Sequence, residues 1–241
     1  MLDKTILNQV INDWSYREKT PPKTLMRRVL KNVLSLQPDL VLAITGIRRS
    51  GKSTLLRQVM QAKKLNPKRC YFLNFEDPRL SQQLDFTLLE NTVKLAHEEF
   101  PTGPRYFFFD EIQNIVDWQK WMRRKLARPQ DDFFVITGSN SSLLSGDLGS
   151  KLTGRHLSIE LFPFDYPEYL ALKPNSKLED YLEDGGFPRV LTFENPQSLL
   201  REYFTDIIER DIRSRIDIRS TLALTQLVKT VFESMGSETS Q

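Results

Sequence analysis

Residues Gly46 to Ser53 read G-I-R-R-S-G-K-S, which has the form G-x-x-x-x-G-K-[ST] of a phosphate-binding (Walker A) loop. Each part has a physical job. Gly46 and Gly51 let the backbone wrap closely around an anion. The amides that open the next helix point at that anion, and the helix dipole favours negative charge there. Ile47, Arg48, Arg49 and Ser50 form the turn between the glycines, and Thr54 carries the loop into the helix. Lys52 is placed to reach β- and γ-phosphates, and the Ser53 hydroxyl to hold Mg²⁺. Further on, Phe107-Phe-Phe-Asp110-Glu111 ends an apolar run in two carboxylates, the pattern of a Walker B strand. There Asp110 serves the magnesium, usually through a water, and Glu111 polarises an attacking water. Alone, such a string is common, and a solvated turn explains it equally well. The upstream loop makes it specific.

The next apolar run ends in Ile136-Thr-Gly-Ser-Asn140. A polar side chain here would lie between the two motifs, where it can sense a γ-phosphate or orient the water. Asn140 is the first candidate, ahead of Ser139 and Thr137. Turn chemistry is the competing reading, since Gly, Ser and Asn dominate turns. Arg155, in Leu152-Thr-Gly-Arg155-His156, opens the fifth apolar run. It could neutralise transition-state charge, within the chain or in a neighbouring subunit, or form a structural ion pair. Arg48 and Arg49 either touch phosphate or face solvent, and spacing does not choose.

These groups need a scaffold, and the patterning supplies one. Short apolar runs at 40–45, 71–75, 106–109, 133–136 and 157–161 read as strands. Helical spacing falls between them at 52–63, 85–99 and 117–127. Alternation of this kind implies a parallel sheet covered on both faces, with ligands at the carboxyl ends of the strands. Upstream, Ile6, Val10 and Trp14 outline an amphipathic helix that ends near the Thr20-Pro21-Pro22 break. A second helix is expected to carry Met26, Val29, Leu30, Val33 and Leu34 on one side. Beyond Phe162 the chain turns proline- and aromatic-rich and then helical, with a tight turn at Gly185-Gly186-Phe187-Pro188 and a charged helix over 201–218. The expected division is an N-terminal helix (1–22), a phosphate-loop domain (23–162) and a helical C-terminal region (163–241).

The chain has 241 residues, 39% hydrophobic and 27% charged, enough to bury a real core. Its longest apolar runs are too short to span a bilayer. A single cysteine, Cys70, excludes an intrachain disulfide and fits a reducing, cytoplasmic compartment. Cys70 opens an apolar strand, which favours a packed thiol over a nucleophile. His97 and His156 offer no zinc spacing. The formal charge of +3 is spread among acids and does not establish nucleic-acid binding. Arg210, Arg213, Arg215 and Arg219 alternate with Glu209, Asp211 and Asp217. A solvated face is the simpler reading, and contact with DNA or another subunit the sharper one.

Taken in order, G-I-R-R-S-G-K-S-T, F-F-D-E-I-Q-N, I-T-G-S-N-S-S-L-L-S, L-T-G-R-H, F-P-F-D-Y-P-E-Y-L, G-G-F-P and E-R-D-I-R-S-R resemble the prokaryotic AAA-type P-loop ATPases that carry an uncharacterised C-terminal domain. The resemblance runs from about residue 24 onwards. It implies an α/β, three-layer αβα additional-strand ATPase core with a parallel sheet in the order 5-1-4-3-2. It also implies ATP and Mg²⁺ as ligands, and a winged-helix-like segment after the helical region. The chain departs from the pattern where it stops, at Gly236-Ser-Glu-Thr-Ser-Gln241, a stretch that resembles the cap of another helix. The expectation is a truncated product or fragment, which puts any winged-helix contact with DNA in doubt.

Other nucleotide-binding classes fit less well. A GTPase would need an N-K-x-D-type motif, and none occurs. Leu144-Ser-Gly-Asp147 faintly resembles an ABC signature but follows Asp110-Glu111 instead of preceding it. Asp110-Glu-Ile-Gln113 resembles a helicase box without room for a second motor lobe. A small-molecule kinase gives no reason for Glu111 directly after Asp110. The sequence therefore points to an ATP-binding, Mg²⁺-dependent ATPase whose cycle moves the C-terminal region or a DNA or protein partner, with assembly into a homo-oligomer left open. The alternative is a nucleotide-dependent binding switch with little or no turnover.

Overall fold

The structure is a computed structural model and describes residues 3–17, 22–33, 36–138, 152, 154–208 and 221–234. Its centre is a five-stranded sheet made of β1 (Val41–Thr45), β2 (Cys70–Asn74), β3 (Arg105–Asp110), β4 (Asp132–Gly138) and β5 (His156–Glu160). The order is β2-β3-β4-β1-β5 and every neighbouring pair is parallel. This is the order 5-1-4-3-2 read from the opposite edge, as the resemblance implies.

The residues explain the sheet. All five side chains of β1 are buried, as are most of β2, β3 and β4, so these strands read as continuous apolar runs. Register brings aromatic rings side by side. Tyr71 pairs with Phe107, which pairs with Phe134, and the rings stack with centroids 5.4 and 5.1 Å apart. Alternate residues face opposite layers. One face packs Ala43, Leu73, Phe107, Phe109 and Ile136 against α1 (Lys4–Ser15), α3 (Phe86–Glu99) and α4 (Trp118–Ala127). The other packs Leu42, Ile44, Phe72, Phe108 and Val135 against α2 (Lys52–Ala62).

Asp3 caps α1, and Tyr16 ends it in the left-handed region at φ 52°. The helix therefore stops at Ser15, before the expected proline break. Leu7, Val10 and Ile11 join the sheet core. Just beyond them, the Ser15 hydroxyl accepts from the Phe72 amide at 2.9 Å and Arg17 donates to the Cys70 carbonyl at 3.3 Å. These contacts cover the outer edge of β2, which would otherwise be open to pairing.

The expected second helix does not form. Described residues 22–27 carry no helix, and only a 3₁₀ turn, Arg28–Asn32, follows. Gln58 of α2 donates to Thr24 Oγ1 and to the Leu25 carbonyl, and accepts from the Arg27 amide. Glu168 accepts from the Arg28 amide. Backbone groups that a helical ladder needs are thus bonded to side chains instead.

After β5 come α5 (Tyr166–Leu172), α6 (Leu178–Asp184), α7 (Pro196–Asp206) and α8 (Thr221–Glu233). Asp165 and Glu168 close a reciprocal capping box at the start of α5. At the glycine-rich turn, a Cβ on Gly186 would lie 2.4 Å from the Phe164 carbonyl oxygen. That close approach ties residues 185–188 to the end of the sheet domain. Of the charged stretch 201–218, residues up to 206 belong to α7, while 209–220 lie outside the described residues.

Candidate functional site

The carboxyl ends of β1, β3 and β4 adjoin one another and build the site. β1 runs into Gly46, whose φ is +147°. A Cβ there would sit 2.2 Å from the Leu161 carbonyl oxygen, so the close passage of the chain after β5 requires glycine. Gly51, at φ +97°, turns the loop into α2. Lys52 and Ser53 are then the first two helical residues, with their amides at the positive end of the helix dipole.

Lys52 is buried. Its Nζ donates to the Ile47 carbonyl at 3.1 Å and lies 3.7 Å from Glu111 Oε1. The end of β3 supplies the acids. Asp110 is fully buried, near enough to the Ser53 hydroxyl for that group to favour its charged form. It accepts from Thr137 Oγ1 at 2.5 Å and from Asn74 Nδ2 at 3.2 Å. Burial pushes its pKa up to about 6, against the pull of the Ser53 and Thr137 hydroxyls. Glu111 sits in the left-handed region at φ +56°, a strained setting for a non-glycine residue. Its amide donates to Thr137 Oγ1 at 3.0 Å, and its Oε2 accepts from Gln113 Nε2 at 2.6 Å. Thr137, at the end of β4, therefore bridges both acids.

The sequence candidates divide accordingly. Lys52, Ser53, Asp110 and Glu111 come together with Thr137, the third of the sensing candidates. Asn140 and Ser139 lie outside the described residues. Arg155 is not brought to this site by its own chain. Its carbonyl accepts from the Val41 amide, at the start of β1, and its side chain is exposed. It therefore marks the amino end of the sheet, opposite the loop. The geometry offers it no role in the same chain's cradle. Neither loop arginine simply faces solvent. Arg48 pairs with Glu76 at 3.1 Å. Arg49 pairs with Asp206 of α7 and lies 3.8 Å from the Tyr203 ring centre.

Three contributors had no local motif. Asn74 ends β2 in register with Asp110, a position legible once β2 and β3 are recognised as neighbours. Arg27 is buried and reaches three parts of the chain. It donates to the Ser50 carbonyl at 2.9 Å, to the Phe162 carbonyl at 2.8 Å and to Glu168 at 3.0 Å. Glu168 is buried with it. Beside them lies a cavity of about 380 Å³, lined by Thr24, Arg27, Gly51, Thr54, Phe164 and Pro188 among others. Cys70 behaves as a core thiol. It is fully buried, and desolvation pushes its pKa up to about 12.

The donor set suits a hard divalent cation. Ser53 and Asp110 present a hydroxyl and a carboxylate in mutual contact, oxygen ligands of the kind Mg²⁺ takes beside phosphates and water. Among the described residues, no group of three or more His, Cys, Asp or Glu could hold a metal by itself. No helix there is long and apolar enough to cross a membrane.

A family profile described as an AAA domain matches residues 38–170. An uncharacterised protein of Haemophilus influenzae is 32% identical over 213 residues, covering 82% of this chain and 52% of that protein. An uncharacterised protein of Methanocaldococcus jannaschii is 30% identical over 240 residues, covering 91% of this chain and 52% of that protein. The chain thus spans about half the length of these curated relatives. A solved structure of PCH-2 from C. elegans covers 100% of this chain and 65% of its own, at 13% identity and a TM-score of 0.39, a likeness too loose to carry an argument.

Proposed function

Because the chain belongs to the AAA domain family, we propose that it binds ATP with Mg²⁺ at the end of β1 and hydrolyses it to ADP and phosphate. The observation that carries this reading is the meeting of four side chains. Ser53 contacts Asp110, and Lys52 lies 3.7 Å from Glu111. A cationic, amide-rich loop adjoins an acidic pair, the combination that a triphosphate and its cation require.

In this reading the loop amides and Lys52 hold the phosphates. Ser53 and Asp110 hold the Mg²⁺, which neutralises phosphate charge when bound. Glu111 orients the attacking water and accepts its proton, and Thr137 keeps both acids at fixed positions. The neighbouring cavity takes the base and ribose, since it adjoins Gly51 and Thr54 at the start of α2. Hydrolysis is coupled to movement of the C-terminal helices or of a DNA or protein partner. Support for that coupling is the contact of Arg49 with Asp206 and Tyr203. If Arg155 contributes charge to catalysis, it does so in another copy of the chain, because its own cradle lies at the far end of the sheet.

A second reading, a nucleotide-dependent switch with little turnover, has one observation in its favour. Gln113 and Lys52 already engage the Glu111 carboxylate. Glu111→Gln separates the two. An ATPase with Glu111 as its base loses about 10²- to 10⁴-fold in turnover on that change while still holding ATP. Phosphate release should be measured with and without DNA across a range of protein concentrations. Tight ATP binding with no release under any of these conditions selects the switch. Turnover that rises with concentration supports assembly.

A further inference from the structure

Arg27 is out of place for a charged side chain. It leaves only 6% of its side chain exposed and its partner Glu168 leaves 5%. Removing two charges from water costs several kcal/mol per ion unless their hydrogen bonds are met. Here they are met from several sides. Arg27 Nε takes Glu168, Nη1 takes the Ser50 carbonyl, and Nη2 takes the Phe162 and Pro163 carbonyls. The guanidinium also lies over the Phe164 ring, 4.7 Å from its centre. Gln58 holds the Arg27 amide from behind.

The contact with Ser50 bears on the site. Ser50 and Gly51 share one peptide plane, in which C=O and N–H point in opposite directions. A donor that grips the Ser50 oxygen from outside the loop turns the Gly51 N–H the other way, toward the loop's interior. Gly51 needs such a restraint. It has φ +97°, no side chain, and no Cβ to limit rotation of that peptide. The next residue, Lys52, begins α2.

We propose that Arg27 is a positioning residue for the phosphate loop: by holding the Ser50 carbonyl it aims the Gly51 amide at the phosphates. Glu168 holds Arg27 at the correct reach, so the start of the helical region helps set the loop's affinity for polyphosphate. This inference rests on the nucleotide-binding reading and adds a residue from outside the motif.

The test uses three proteins: the unaltered chain, the double variant Arg27→Met/Glu168→Leu, and Arg27→Lys. Replacing a buried ion pair by apolar residues of similar size commonly preserves folding. The double variant should therefore unfold cooperatively yet bind both ADP and pyrophosphate about 10- to 100-fold more weakly, the loss expected for one oriented hydrogen bond to a charged group. Lysine cannot span Ser50 and Glu168 with one ammonium, so Arg27→Lys should show the same loss when binding is measured well below its own, lowered midpoint of unfolding. It decides the matter if the double variant fails to fold. A folded variant with unaltered ADP affinity overturns the proposal. So does weaker ADP binding with unaltered pyrophosphate binding, because that assigns Arg27 to the cavity instead of the phosphates. If the unaltered chain binds neither ligand, the nucleotide reading itself fails and this inference goes with it.

Discussion

The sheet and the helices that follow it are held by different forces. In β1 to β4 nearly every side chain is buried, and Phe107, Phe108, Phe109, Val135 and Ile136 are wholly or almost wholly shielded from water. Beyond β5 the buried apolar set thins to residues such as Tyr169, Val190, Tyr203, Ile208 and Leu224. Leu172, Leu178, Leu182, Leu227, Val231 and Phe232 are exposed. This second region meets the phosphate loop through charge, in Arg27–Glu168 and Arg49–Asp206. Apolar burial is non-directional and hard to switch, whereas an ion pair responds to any new charge placed beside it. The acids of the site stand on the stiff part, and the parts that would respond to phosphate stand on the other.

The strongest way to break this contrast is to truncate one apolar side chain in each region. Phe108→Ala, in the sheet core, should cost about 3–5 kcal/mol. Leu182→Ala, at a side chain 73% exposed, should stay within about 0.5 kcal/mol. Denaturant unfolding of both variants checks this, and comparable losses would show that the helical region hides a core of its own.

Second in size is the loss of the site's cation. Lys52→Ala should weaken ATP binding about 100-fold, the scale of a lost charge-assisted contact to phosphate. The change removes a buried charge beside Glu111, so stability must be followed together with titration of bound nucleotide. Asp110→Ala should abolish the dependence of binding on Mg²⁺ while leaving nucleotide affinity in its absence largely intact. Retained Mg²⁺ dependence would remove Asp110 from the metal.

The same contrast explains what could be read in advance. The phosphate loop, the acidic pair and all five strands are local patterns of a few consecutive residues; the sheet recovers the five strands and sets the loop beside the acidic pair. The failures involve distant partners. Residues 24–33 have helical spacing, yet Gln58 and Glu168 take their backbone groups. Arg155 opens the fifth strand as the sequence reads, and strand direction sets it away from its own chain's loop, which leaves the neighbouring-subunit alternative for it. Arg27 and Glu168 are separated by 141 positions, with no spacing rule to connect them. Thr137 was one polar residue among three in a turn-like string until β4 placed it between the acids.

A third, smaller test concerns the N-terminal helix. Trp14 Nε1 donates to Asp77 at 2.9 Å, and Arg79 grips the same carboxylate at 2.7 Å. Hydrogen bonds from Arg79, then from Trp14, hold the Asp77 pKa down at about 2 against an ordinary 3.8. A lowered folded-state value means that the charged form favours folding. The stabilisation is fully present above pH 3.8 and is lost as pH falls toward 2. Asp77→Asn should therefore lower stability at neutral pH and flatten its fall over that acid window, as tryptophan fluorescence during denaturant unfolding would show. An unchanged acid profile would mean that the Asp77 carboxylate adds nothing to the hold of α1 on the sheet beyond the apolar contacts of Leu7, Val10 and Ile11 and the hydrogen bond of Ser15.

The smallest expected effect falls on the contact between loop and helices. The side chains of Arg49 and Asp206 are 35% and 31% exposed. Solvent screens such a pair, so Asp206→Asn should change global stability by less than about 1 kcal/mol. Its effect should appear locally. With Asp206 neutral, Arg49 keeps the Tyr203 ring as its partner among the described residues, and amides of α7 should exchange with solvent faster while those of β1 and β3 do not. Adding ATP to the unaltered protein should reproduce part of that loosening, because bound phosphate competes with Asp206 for the same guanidinium. If ATP instead protects α7 equally in the variant and the unaltered chain, the ion pair plays no part in communication, and the two regions are joined through Arg27 and the chain itself.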